Sequence, residues 1–234
     1  MDFMQLIEMT DYTLAPSGSG QGIYGFYLSV NQGDVCAVEA GAADDAHRFL
    51  RALATLVLPL KGTYRFKGRV VDLRNHKASL KCKRQIGYIA PDAALISNLT
   101  LRQNLLLGKF YFENDLALPM DERACSLCEV FDLNDKLDKR PAALNLMESQ
   151  AAIVIRELCK QPEILVLNRP EDFLGHARFD QLTRLFNQWV DRRLPVVLWT
   201  HDRRLIRRYA NRKILITNGS LTTLETRRNN GDKE

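Results

Sequence analysis

The sequence predicts an α/β fold in which a mostly parallel sheet is covered by helices, and three observations carry that expectation. Short apolar runs, long enough for buried strands, occur at Val35-Cys36-Ala37-Val38, Ile164-Leu165-Val166-Leu167 and Val196-Val197-Leu198-Trp199. Segments with apolar residues near the 3.6-residue helical period stand between them, as in 46–58 with Phe49, Leu50, Leu53, Leu56 and Val57. Strands and helices that alternate in this way imply parallel strands joined by crossover helices.

In chain order, 5–14 and 23–30 are extended candidates on either side of the Gly/Ser-rich loop 16–22. Gly33-Asp34 turns into the first apolar run, and Pro59 and Gly62 end the helix that follows. Thr63 to Phe66 with Val70-Val71 reads as a hairpin, and Ile86-Gly87-Tyr88-Ile89 as a further strand. From 100 to 158 the pattern is helical, with breaks near Pro119 and Pro141. Helices are then expected at 151–160, 179–192 and 203–210, and a strand at 213–217 before the turn Asn218-Gly219. The tail 227–234 is expected to be disordered.

Composition narrows the class. A chain of 234 residues with 46% hydrophobic and 26% charged content buries a real core, which excludes disorder and fibrous repeats. The net charge of +5 permits contact with anionic lipid, nucleic acid or an acidic partner without requiring any. The longest apolar run, 52–60, is interrupted by Thr55 and Pro59 and falls far short of the ~20 residues of a membrane span. The start lacks a cationic region followed by a long apolar stretch, and five cysteines show no framework spacing; a cytosolic, reducing address is expected.

Taken together, the segments resemble the ATP-binding cassette (ABC) ATPase family over nearly the whole chain. Residues 33–38 resemble its first core strand, and 51–62 the helix and following Pro-x-x-Gly. Gln85-Ile86-Gly87-Tyr88-Ile89 through Thr100-Leu101 and Asn104-Leu105 resembles the segment around its Q-loop. Residues 155–158 and 162–170 resemble the helix after the signature motif and the Walker B strand, and Thr200-His201-Asp202 its switch histidine. The resemblance implies a single domain over 1–226: a P-loop NTPase core with a mostly parallel sheet, an antiparallel β subdomain and a helical subdomain near 92–158.

The chemistry of that family is missing position by position. A working phosphate loop, G-x-x-x-x-G-K-[ST], cradles phosphate with backbone N–H groups, neutralises it with Lys and holds Mg²⁺ with the hydroxyl. In register stand Asp44, Asp45, Ala46 and His47, with Asp45 for the glycine, Ala46 for the lysine and His47 for the hydroxyl. A unit-charge pair at ~4 Å and an effective dielectric of ~20 is worth about 4 kcal/mol. Half of that as repulsion from one Asp, added to the lost Lys, lowers triphosphate affinity by a few orders of magnitude. Arg48 lies one residue too far along to restore the charge. Asn168-Arg169 replaces the Walker B Asp and Glu: a neutral amide is a poor ligand for a hard cation, and a guanidinium cannot accept a proton. Loss of a general base alone costs about 10²–10⁴-fold in rate. Pro91 stands for the Q-loop glutamine, and Asn145, Leu146, Met147 and Glu148 replace the Ser-Gly-Gly-Gln of the signature. Gly175 stands for the D-loop aspartate; His201 alone survives.

Each feature has a plainer reading. Asp44 and Asp45 can be N-cap and first-turn acids of the next helix, satisfied within the chain. Leu146-Met147 is either a new apolar contact surface or part of the core. His201 can be a helix-start residue without chemistry, and Cys125-x-x-Cys128 lacks a second pair at zinc spacing, so packing is expected of it. The basic C-terminal third, with Arg203-Arg204 and Arg207-Arg208, reads as a solvated face, with lipid headgroups next; nucleic acid is not expected, for want of interleaved aromatics.

The resemblance then implies a pseudo-ATPase: an inactive nucleotide-binding subunit, structural or regulatory, on the cytoplasmic face of the inner membrane. No catalytic residue, cofactor or metal is expected. The implied partners are an integral membrane permease and a second cassette, as homodimer or heterodimer. In the family the groove around the Q-loop receives a permease helix, and Leu95, Ile96 and Leu99 would supply its apolar contacts. Two other readings stand beside this one: an unconventional ATPase relying on partner residues, and a soluble regulatory scaffold without a transporter.

Overall fold

The computed structural model describes residues 5–113, 119–174 and 179–226. The Gly175 position and the tail 227–234 lie outside them. The first half runs β1 (Gln5–Leu14), β2 (Ile23–Asn31), β3 (Val35–Ala40), α1 (Ala43–Leu53), β4 (Lys61–Phe66), β5 (Arg69–Val70), α2 (His76–Arg84) and β6 (Ile86–Ile89). Next come the short helices α3 (Leu101–Leu105), α4 (Leu107–Glu113) and α5 (Glu122–Val130), two single 3₁₀ turns, and α6 (Leu146–Cys159). The chain closes with β7 (Ile164–Asn168), α7 (Pro170–Leu174), α8 (Phe179–Asp191), β8 (Val196–Trp199), α9 (Arg203–Tyr209), β9 (Arg212–Thr217) and β10 (Ser220–Glu225).

Two sheets result. One is four-stranded and antiparallel, ordered β2-β1-β4-β5; the other is six-stranded, ordered β10-β9-β3-β8-β7-β6, and parallel apart from the antiparallel pair β9–β10. The central strands are apolar on consecutive residues because both faces are covered. Cys36, Val38, Val166, Val197 and Ile214 pack with α1 and the antiparallel sheet. Val35, Leu165, Leu167, Val196 and Leu198 pack with α6, α8 and α9 on the opposite face.

Two boundaries differ from the sequence reading for local reasons. Helix α1 stops at Leu53, not near Pro59, because Thr55 takes a left-handed conformation (φ +59°). The Leu56 N–H then reaches the Arg51 carbonyl (2.8 Å) and the Thr55 N–H the Ala52 carbonyl (3.0 Å), the paired bonds that close a helix C-terminus. Helix α6 starts at Leu146, well before 151, because Asn145 caps it. Helix α2, capped by the Asn75 side chain, and the returning strand β10 were not anticipated.

Candidate functional site

Strand β3 delivers the chain through Gly41 and Ala42 into the first turn of α1, so Asp44, Asp45, Ala46 and His47 sit at the C-terminal edge of the parallel sheet. In open α/β sheets that edge is where ligands bind. Both acids lie in the first turn of α1, as expected, but neither is the N-cap, which is Ala42 and makes no side-chain bond. Their side chains reach away instead, to the loop between β1 and β2. Asp44 Oδ2 accepts from the Ser19 N–H (2.7 Å) and hydroxyl (2.8 Å). Asp45 accepts from the Gly22 N–H (2.9 Å) and the Gln21 N–H (3.1 Å) and is itself buried. The contact is close enough that a larger residue at Gly18 or Gly20 would have to push a carboxylate aside. A Cβ at Gly18, where φ is +57°, would stand 2.3 Å from Asp44 Oδ2, and one at Gly20 would stand 2.4 Å from Asp45 Oδ1. Donation from the Ser19 backbone and hydroxyl holds the Asp44 carboxyl below its usual value. Ala46 is fully buried in the core beneath the antiparallel sheet.

His47 turns the other way. Its Nδ1 lies 2.6 Å from the Asn168 carboxamide nitrogen, and its Nε2 lies 4.0 Å from Asp92 Oδ2, which also meets Arg51 at 3.4 Å. Asn168, at the end of β7, is 1% exposed, and its Oδ1 has no partner. Tyr88, whose phenol burial pushes up to about 12, lies beside the same carboxamide, its hydroxyl making no hydrogen bond. The fold thus brings together two of the predicted positions, His47 and Asn168, and adds Tyr88, Arg51 and Asp92. The pair is an imidazole against a neutral amide, and the carboxylate that accompanies it, Asp92, stands 4.0 Å from the imidazole and is shared with Arg51.

Arg169 occupies a left-handed conformation (φ +53°), and its guanidinium turns back to Asp172, with Nε 2.8 Å from Oδ2. His201 is exposed, its ring edge-on to Trp199 at 5.6 Å. What holds that segment is Glu171, which sequence reasoning missed. Its carboxylate accepts from the Thr200 hydroxyl (2.6 Å) and the His201 N–H (2.8 Å), tying α7 to the turn after β8. The readable signal was a second acid two positions after Arg169.

The positions that the sequence reading set in register with the signature, Asn145 to Glu148, form a helix start. Asn145 Oδ1 accepts from the Glu148 N–H (2.9 Å) while Glu148 Oε2 accepts from the Asn145 N–H (2.8 Å), a reciprocal capping box at the head of α6. Of the two readings left open for Leu146 and Met147, the core one fails: they are 73% and 38% exposed.

Pro91 is exposed at the end of β6, where the segment toward α3 begins. That segment is pinned by Asn104, fully buried, whose amide donates to the carbonyls of Ile96 (3.1 Å) and Thr100 (3.0 Å) and accepts from the Ile96 N–H (2.7 Å). Ile96 projects into a groove of about 730 Å³ between α2, α3, α4 and the end of α6. Leu95 instead packs toward the helical core and lines a smaller pocket beside Leu146; Leu99 is half-buried and lines neither. Of the three predicted contacts, Ile96 alone faces the large groove. In α5, Cys128 is buried, its thiol pushed up to about 11, and Cys125 is exposed. Among the described residues no cluster of metal-ligating side chains occurs, and no helix is long and apolar enough to cross a membrane.

No family model matches the chain. It is 29% identical over 206 residues to the phosphonates import ATP-binding protein PhnC 2 of Synechococcus sp. (strain JA-2-3B'a(2-13)), spanning 84% of this chain and 76% of that protein. It is 24% identical over 210 residues to the arginine transport ATP-binding protein ArtP of Escherichia coli (strain K12), spanning 87% and 86%. Among solved structures, that of dimeric MJ0796, a bacterial ABC transporter cassette, matches with a TM-score of 0.78 at 20% identity, over 95% of this chain and 99% of that one. By sequence the chain is similar to ATP-binding proteins of ABC transporters, and its fold is that of an ABC ATPase.

Proposed function

We propose that this chain is a nucleotide-binding-type subunit of a membrane transporter that neither holds nor hydrolyses ATP, and that it serves its complex as a structural or regulatory part on the cytoplasmic face of the membrane. The carrying observation is the pair of carboxylates at the head of α1: Asp44 and Asp45 take four donors of the loop 16–22. A triphosphate at that helix start would meet two negative charges in place of a lysine, each pair costing a few kcal/mol at short range. The rest of the site agrees. Asn168 offers a neutral amide, Arg169 is folded back on Asp172, and Leu146-Met147 opens a capped helix where the family has glycines. The relatives' names, an import and a transport ATP-binding protein, support assembly with an integral membrane permease, and the dimeric cassette supports pairing with a second cassette.

The test is phosphate release from Mg-ATP by the purified chain and by the complex isolated with it. Release should stay at background for the chain alone, and activity of the complex should survive the Arg169→Ala and His201→Ala variants. Turnover by the chain alone, or turnover abolished by either variant, would refute the reading.

A further inference from the structure

Beyond the C-terminal end of α1, the segment 58–64 and the residues 70–74 enclose a cavity of about 320 Å³. Helix α1 is 11 residues long, so about 16 Å separates this end from the head where Asp44 and Asp45 sit. The mouth of the cavity is apolar and open to solvent: Leu58, Leu60 and Val70 are 51%, 65% and 64% exposed. Val71 and Leu73, half-buried against the core beneath the antiparallel sheet, also line it. The charges around it balance: Lys61 pairs with Asp11 (3.1 Å), and Asp72 stands beside Arg74, whose backbone N–H its carboxylate accepts (3.0 Å). Two tyrosines complete the lining and differ in one respect. The Tyr64 hydroxyl donates to the Leu53 carbonyl (2.9 Å), while the Tyr12 hydroxyl is buried and makes no hydrogen bond. Burial pushes the Tyr12 phenol above its usual value, so it stays an O–H donor at neutral pH.

An exposed apolar rim and a buried donor without an acceptor are separate observations, and one kind of occupant answers both. We infer that the cavity binds a small uncharged molecule with an apolar body and a carbonyl oxygen, the body lying against Leu58, Leu60, Val70 and Leu73 and the oxygen accepting from the Tyr12 hydroxyl. Size sets the class. At the ~30 Å³ that a water takes in the liquid, the volume holds about ten non-hydrogen atoms, which suits a short alkyl or aryl ketone or ester; a helix, ~10 Å across with its side chains, does not enter. Charge sets it too, because the balanced lining offers no net positive charge to offset the burial of a carboxylate. The inference stands apart from the reading of the nucleotide-register positions, with which this cavity shares no residue.

The test titrates two probes of the same shape into the full-length chain, acetophenone and α-methylstyrene, in which a methylene replaces the carbonyl oxygen, following the methyl resonances of Leu58, Val70 and Leu73. Acetophenone should shift all three saturably and bind about five- to tenfold more tightly than α-methylstyrene, the difference one hydrogen bond makes. In Tyr12→Phe, which keeps the ring and removes the oxygen, the two probes should bind alike. The comparison within the native chain decides the point even if the variant folds poorly. No saturable shift, equal affinity of the two probes for the native chain, or a preference for acetophenone that persists in Tyr12→Phe would overturn the inference. So would movement of the same methyl resonances on raising the protein concentration without a probe, which would make this face a contact between copies of the chain.

Discussion

Asp45 is the residue on which the arrangement turns. It is buried, and both of its bonds are to backbone N–H groups, those of Gln21 and Gly22. Replacing it by Ala strands two donors, so Asp45→Ala is expected to destabilise the fold by about 2–3 kcal/mol, read from the shift in urea midpoint. Gly20→Ala presses a methyl on the same carboxylate and should cost less in the Asp45→Ala background than in the native one; strict additivity in that double-mutant cycle would show that loop and acid do not act together. Asp44 adds a pH dependence whose sign follows from its lowered folded pKa. Its contribution is fully present above its ordinary value of 3.8 and is lost as pH falls through the lower folded value. Stability measured across that acid range should fall less steeply in Asp44→Asn than in the native chain. The residue identities were legible in the sequence, but their partners were not. The loop 16–22 lies more than twenty positions away, and nothing in local pattern says that Ser19, Gln21 and Gly22 return to meet Asp44 and Asp45.

At the scale of elements, two asparagines hold structure that apolar pattern could not reveal. Asn145 opens α6 through its capping box with Glu148, so Asn145→Ala should cost about 1 kcal/mol, seen as a lower thermal midpoint. Read in register with a nucleotide motif, Asn145-Leu146-Met147-Glu148 looks like lost function; read as N-x-x-E before an apolar run, it is a helix start, and that reading would have placed the α6 boundary correctly. Asn104 pins 96–100 from a fully buried position, and Asn104→Ala should cost about 2 kcal/mol while speeding amide exchange at Ile96, whose N–H it accepts. If exchange at Ile96 is unchanged while stability drops, the groove wall is held by something else. Strand β7 was legible almost to the residue because four consecutive apolar positions between Glu163 and Asn168 admit little else, whereas β10, with three Thr or Ser among its six residues and an exposed face, gave no such signal.

For the whole molecule, the sheet with two covered faces and the antiparallel flank follow from the alternation of apolar runs and helical segments, which is a global pattern and so survives single substitutions. Site chemistry is the opposite case: it depends on a few side chains brought together from α1, β7 and the loop 16–22, and each can change without disturbing the sheet. That asymmetry accounts for a chain that keeps a transporter cassette's shape while the head of α1 binds its own loop. The most direct measurement is a titration of Mg-ATP into the isotopically labelled chain, following the amide resonances of Ser19, Gln21 and Gly22. Those resonances should stay in place through millimolar nucleotide, because their hydrogens are already held by Asp44 and Asp45. Saturable shifts at all three, with release of the Asp45 bonds, would contradict the account.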